Sequence, residues 1–157
     1  MSARPVPATA PGTGAFLIVR AQNERYGLPL LEVLEVVDVA PPKPVPTRCA
    51  ALRGLMPLRE RFVSLVHLGT VIAGKGASPP PALGETAVVV SVKGVPMALE
   101  VDDVEAVVDQ SATFVGAAPV PWASGVWRIA RELVTVLDLG ALAERIEESG
   151  SGHDAAG

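Results

Sequence analysis

One stretch of this chain occurs twice, and that constrains the fold more than any other feature. Gly54 to Gly69 reads GLMPLRERFVSLVHLG, and Gly125 to Gly140 reads GVWRIARELVTVLDLG, aligned without a gap. Gly125 stands 71 positions after Gly54. The same offset carries Glu32–Asp38 onto Asp103–Asp109, Val19 onto Val90, and the polar turn at Asn23 onto Gly94. One register therefore relates two halves of the chain, and a fixed period of this kind marks a duplicated structural unit.

The local pattern says that the unit is built of strands. Phe16-Leu17-Ile18-Val19 opens a first strand, Gln22 to Arg25 supplies a turn, and Tyr26-Gly27-Leu28 returns. Pro29 can take no central ladder position, so that strand should stop there or run along an edge. Leu30 to Leu34 fits either a helical turn or the approach to the strand at Val36-Val37, and periodicity cannot choose over so few residues. Four prolines between Ala40 and Pro46 make a stiff connector. A second hairpin follows, Leu55–Leu58 and Phe62–Val66 around Arg59-Glu60-Arg61. In its second arm Phe62, Ser64 and Val66 face one way and Val63 and Leu65 the other.

Gly74 to Glu85 separates the repeats. The second unit has hairpins at Thr86–Val90 with Met97–Val101 and at Val126–Ile129 with Leu133–Leu137. Asp138 is placed to cap a helix whose Leu139, Leu142, Ala143 and Ile146 share one face. The expected fold is all-β: two antiparallel barrels or sandwiches, one from each repeat (about 16–72 and 86–146), with short helices and flexible tails at 1–14 and 147–157. Each half alone is near the size at which a core is marginal, so the halves should pack together and leave a groove between them.

Few residues offer chemistry. With 157 residues, 49% apolar and 19% charged, the chain is globular, and a net charge of −4 argues against an electrostatic nucleic-acid surface. No run is apolar for the ~20 residues a bilayer crossing needs. A single cysteine, Cys49, suits a reducing cytoplasm. Gly69 to Lys75 fits the start of a phosphate-binding G-x-x-x-x-G-K loop, but Gly76 stands where a Ser or Thr must hold Mg²⁺, and prolines follow. Nucleotide binding there is the weaker alternative to a flexible linker. His67 and His153 have no metal-ligand spacing around them, and His67 occupies the helix-start position that Asp138 fills in the second repeat. Glu100, Asp102, Asp103 and Glu105, interleaved with valines, read as a solvated edge. Neither cofactor, metal nor catalytic residue is expected. Arg59 and Arg61, beside Arg53 and close to Leu55, Met56 and Leu58, have the composition of a protein-binding spot, or of a solvated turn paired with Glu60. Trp122 fits either the core or an exposed anchor.

Val33-Leu34-Glu35-Val36, Leu52-Arg53-Gly54-Leu55 to Arg59, Val101-Asp102-Asp103-Val104 and Val134 to Leu142 occur in an order that resembles the CheW family, adaptors that couple bacterial chemoreceptors to a histidine kinase. The resemblance runs from Phe16 to about Ile146. It implies two SH3-like barrels, a chemoreceptor cytoplasmic tip docked in the groove between them, and a regulatory domain of a CheA-type kinase docked on one barrel's end. Carried over by motif, the partner-binding residues are Val33, Gly54 and Arg59. The sequence departs from the family pattern in three places. Glu60 replaces the hairpin glycine that permits a positive φ, His67 replaces an aspartate, and the link from Val108 to Gly125 is short. These departures leave open an accessory adaptor of Frz type that binds receptor without the kinase.

Overall fold

The computed structural model describes residues 15–74, 81–108, 112–129 and 131–156. The expected tail at 1–14 and the Lys75-Gly76 part of the glycine-rich loop lie outside these. The strands run β1 (Phe16–Ala21), β2 (Glu24–Pro29), β3 (Val33–Asp38), β4 (Leu52–Leu58), β5 (Arg61–His67), β6 (Thr86–Val92), β7 (Val95–Val101), β8 (Asp103–Val108), β9 (Thr113–Gly116), β10 (Ala123–Ile129) and β11 (Glu132–Leu137). Helix α1 (Leu68–Ala73) follows β5, and α2 (Leu139–Ala156) follows β11. Leu30–Glu32 form one 3₁₀ turn before β3. The last helix continues well past Ile146, where the sequence suggested a tail.

The strands form two sheets, ordered β8-β1-β2-β11-β10-β9 and β3-β6-β7-β5-β4. This corrects the expectation of one barrel per repeat: each sheet takes strands from both halves. The exchange is itself symmetric. Moving 71 positions along the chain turns β3-β6-β7-β5-β4 into β8-β1-β2-β11-β10, register included. Val33 faces Val90 in one sheet, and Val104 faces Val19 in the other. The parallel pair Ser64 with Met97 likewise becomes Thr135 with Tyr26. Those two parallel contacts stitch each half's second hairpin onto the other half's first.

Burial explains why the halves cannot part. β1 and β6 are buried on both faces, as their unbroken apolar runs require. Phe16 and Ile18 point into the first barrel with Val134 and Val136. Met56, Val63, Leu65, Ala87, Val89 and Ala98 fill the second. The alternate residues Leu17, Val19, Val88, Val90 and Leu99 form a third and larger core along the seam, where Trp122 is buried with its ring 6.0 Å from that of Tyr26. Trp122 is thus a core residue. Phe62 is open while Val63 and Leu65 are sealed, as the alternation required.

Local chemistry sets the ends of the elements. Gln22 and Asn23 (φ 54° and 65°) and Lys93 and Gly94 (φ 53° and 82°) make hairpins with both central residues left-handed, the twist-matched two-residue turn. β2 lies inside its sheet and stops at Pro29. Asp138 Oδ1 accepts the backbone N–H of Ala141 at 3.1 Å, and Leu139 and Leu142 of α2 are buried in the seam core. In the first repeat His67 does the same work: its Nδ1 accepts the Thr70 N–H at 3.2 Å. Because α1 occupies Leu68–Ala73, the first residues of the glycine-rich motif are a buried helix. This corrects the linker reading for Gly69 to Ala73, which are helix rather than open loop.

Candidate interaction surface

The β4–β5 hairpin ends in Arg59-Glu60, and the chemistry gathers there. The left-handed residue of this turn is Arg59 (φ 55°), and Glu60 has no positive φ. Glutamate at the family's glycine position therefore imposes no left-handed strain of its own. Arg59 does not pair with Glu60. It reaches across to β3, where its Nη1 and Nη2 donate to Glu35 Oε2 and Oε1 at 2.5 and 2.7 Å. This planar two-bond geometry suits a guanidinium and a carboxylate. It spans from the outermost strand β3 to the hairpin tip of β4 and β5 at the other end of the sheet. The bond to Arg59 holds the Glu35 carboxyl below its usual range, and Glu35 raises Arg59. The Arg59 side chain nonetheless stays 69% exposed.

Around this pair opens a cleft of about 590 Å³, walled by Leu34, Glu35, Leu58 to Arg61, Val89, Ser91, Gly94 and Pro96. Leu31, Leu34 and Val36 make an exposed apolar strip running along the 3₁₀ turn and β3. An apolar strip beside a fixed arginine is the anatomy of a protein-binding surface.

The three motif residues do not share one spot. Arg59 is in the cleft. Val33, two residues before Glu35, packs half-buried on the seam core. Gly54 is buried five residues down β4 from Arg59, roughly 16 Å along a strand. Its φ is +140°, and a Cβ there would stand 2.7 Å from the Lys43 carbonyl carbon. Glu35 was missed as a member of the site; the signal was an acid set among β-branched residues of β3.

Two readings are corrected. Glu100 is not on a solvated edge: it is 2% exposed and accepts from Arg53 Nε, from Arg53 Nη2 at 3.0 Å and from Gly84 N at 2.8 Å. Arg53, with an 11% exposed side chain, is spent on that buried pair and belongs to no binding spot. Glu105 bridges Arg20 and Arg25 on the first barrel, and Arg25 also pairs with Glu132. Asp102 accepts the Gln22 N–H at 3.0 Å, closing a turn. Among the described residues no helix is long and apolar enough to cross a membrane.

No curated protein sequence matches the chain. Among solved structures it is similar to the scaffolding protein TtCheW from Thermoanaerobacter tengcongensis. The two are 21% identical, with a TM-score of 0.69 over 83% of this chain and 92% of that one. The likeness identifies the pair of sheets as two SH3-like barrels. The sequence model of the CheW-like domain matches residues 15–147. On that match, the chain belongs to the CheW-like domain family.

Proposed function

We propose that the chain is a non-catalytic cytoplasmic adaptor of bacterial chemosensory signalling. In this reading the cytoplasmic tip of a methyl-accepting chemoreceptor lies against the apolar strip of β3 beside the seam, with Val33 at its edge. The regulatory domain of a CheA-type kinase docks at the cleft end of the second barrel. The observation that carries the reading is the Arg59–Glu35 pair: an exposed, geometrically fixed arginine set against open apolar side chains in a CheW-like fold. Such an arginine, already ordered, loses little side-chain freedom on docking. Gly54 contributes by letting the connector at Lys43 pack against β4, which holds the hairpin in place.

The test is binding of the full chain to a purified receptor signalling domain and to a purified kinase regulatory domain, each compared with Arg59→Ala. Arg59→Ala should weaken kinase-domain binding while the unfolding midpoint barely moves. Binding to the receptor alone would assign the accessory role, and binding to neither would sink the adaptor reading.

A further inference from the structure

The 71-residue offset superimposes the cleft on a corner of the first barrel that is shut. Leu34, Arg61, Ser91 and Pro96 take the places held there by Glu105, Glu132, Arg20 and Arg25. In the first barrel those four charges satisfy one another: Glu105 takes both arginines, and Arg25 also takes Glu132. In the second barrel three of the four are replaced by leucine, serine and proline. The fourth, Arg61, is still charged but opposite in sign to its counterpart Glu132. It is exposed at the start of β5, and its side chain makes no hydrogen bond or ion pair with any described residue. Arg59, two positions away, is already committed to Glu35. Glu60 between them faces the same cleft.

We infer that Arg61 is a specificity residue of this cleft, receiving a carboxylate of the docked protein while an apolar side chain beside that carboxylate covers Leu34 and Pro96. The inference rests on the adaptor reading and names the chemistry of its kinase-side partner. The first barrel supplies the precedent: the same backbone corner, when closed, is closed by arginine–carboxylate pairs. The Arg61 guanidinium shares a cleft with apolar Leu34, Leu58, Val89 and Pro96, the committed Arg59–Glu35 pair and the exposed Glu60. It gains most from a partner that brings an acid and excludes water as it docks. Arg61 also rejects partners that present lysine there, since like charges brought together on docking are costly.

The experiment is calorimetric titration of the full chain with the kinase regulatory domain at low and high salt. The proteins compared are wild type, Arg59→Ala, Arg61→Glu, and Arg128→Glu as a charge-matched control on the first barrel. Arg61→Glu should weaken binding roughly tenfold or more, with a smaller loss at high salt, while Arg128→Glu binds as wild type does. One Asp→Lys or Glu→Lys change on the kinase domain should restore binding to Arg61→Glu. Circular dichroism confirms that each variant is folded. If Arg61→Glu binds like wild type while Arg59→Ala does not, the role of Arg61 is overturned and the docking site stands. If no acid-to-lysine change restores binding, the carboxylate assignment is overturned. If the wild-type chain does not bind, the kinase-docking reading fails and this inference with it.

Discussion

The buried Arg53–Glu100 pair makes the sharpest demand on the fold. Glu100 accepts two N–H groups from Arg53 and one from Gly84, with the Arg53 and Glu100 side chains only 11% and 3% exposed. Arg53→Met removes both guanidinium bonds and leaves the carboxylate with Gly84 alone. Hydrogen bonds to a charged group contribute about 1.5–3 kcal/mol each, so losing two costs about 3–6 kcal/mol. That agrees with the roughly 3–5 kcal/mol expected when one partner of a buried pair is removed. The double variant Arg53→Met with Glu100→Met removes the stranded charge too. Gly84 is only partly buried, so water can reach its N–H. The double variant should therefore lose only about 1–2 kcal/mol, less than the single one.

Urea unfolding at pH 7, followed through Trp122 at the seam, measures both. For a domain stable by about 5–15 kcal/mol and an m-value of about 2 kcal/mol/M, the single change lowers the midpoint by roughly 2 M. The double change recovers most of that. A single variant within ~1 kcal/mol of wild type, or a double variant less stable than the single, refutes the claim that the pair is a desolvated unit.

Gly54→Ala forces a side chain onto the Lys43 backbone at a φ that L-residues avoid. It should cost more than about 2 kcal/mol by urea unfolding, so any loss of partner binding in that variant reports misfolding rather than a lost contact. His67 is held neutral by burial, which lowers its pKa below 6.5; Glu100 opposes this, Arg53 reinforces it and Asp102 opposes it. Protonation would put a proton on the nitrogen that accepts the Thr70 N–H. The unfolded chain takes the proton first, so stability is complete above about pH 6.5 and falls as pH drops below it. In His67→Asn, which can still cap α1, the urea midpoint should lose that slope between about pH 6.5 and 5.

What the sequence showed best was the register. The offset that pairs Gly54 with Gly125 also pairs the two sheets residue by residue, because similar strands meeting similar neighbours repeat their ladders. The ownership of strands was hidden, since a duplicated unit can close on itself or on its twin with the same local pattern. Burial decides between them: β1 and β6 carry unbroken apolar runs, Phe16–Val19 and Ala87–Val90, buried on both faces, which a strand inside an intertwined pair requires and a one-faced strand does not. Glu100 was misread for a related reason. An acid among valines looks solvated from its neighbours alone, and its partner Arg53 lies in β4, two strands away across the second sheet. Arg59 was legible as a hairpin-tip arginine, but the residue it binds was not, because β3 and β4 are the two ends of the strand order and only the curl of the barrel brings them together.

Duplication supplies two equal frames, so whatever distinguishes one end of this molecule from the other must come from positions where the copies differ. His67 and Asp138 differ yet do the same capping work, so they give the ends no separate character near neutral pH. The corner residues differ in a way that changes the surface. Glu105 ties three strands of the first barrel together through Arg20 and Arg25, with Glu132 joining from β11. With Leu34, Ser91 and Pro96 in those places, the second barrel cannot tie its corner in that way. Its ion pair of Arg59 with Glu35 lies beside that corner without covering it, and the corner remains as the cleft. The directionality of an adaptor built from two like barrels thus reduces to which barrel keeps its charges for itself.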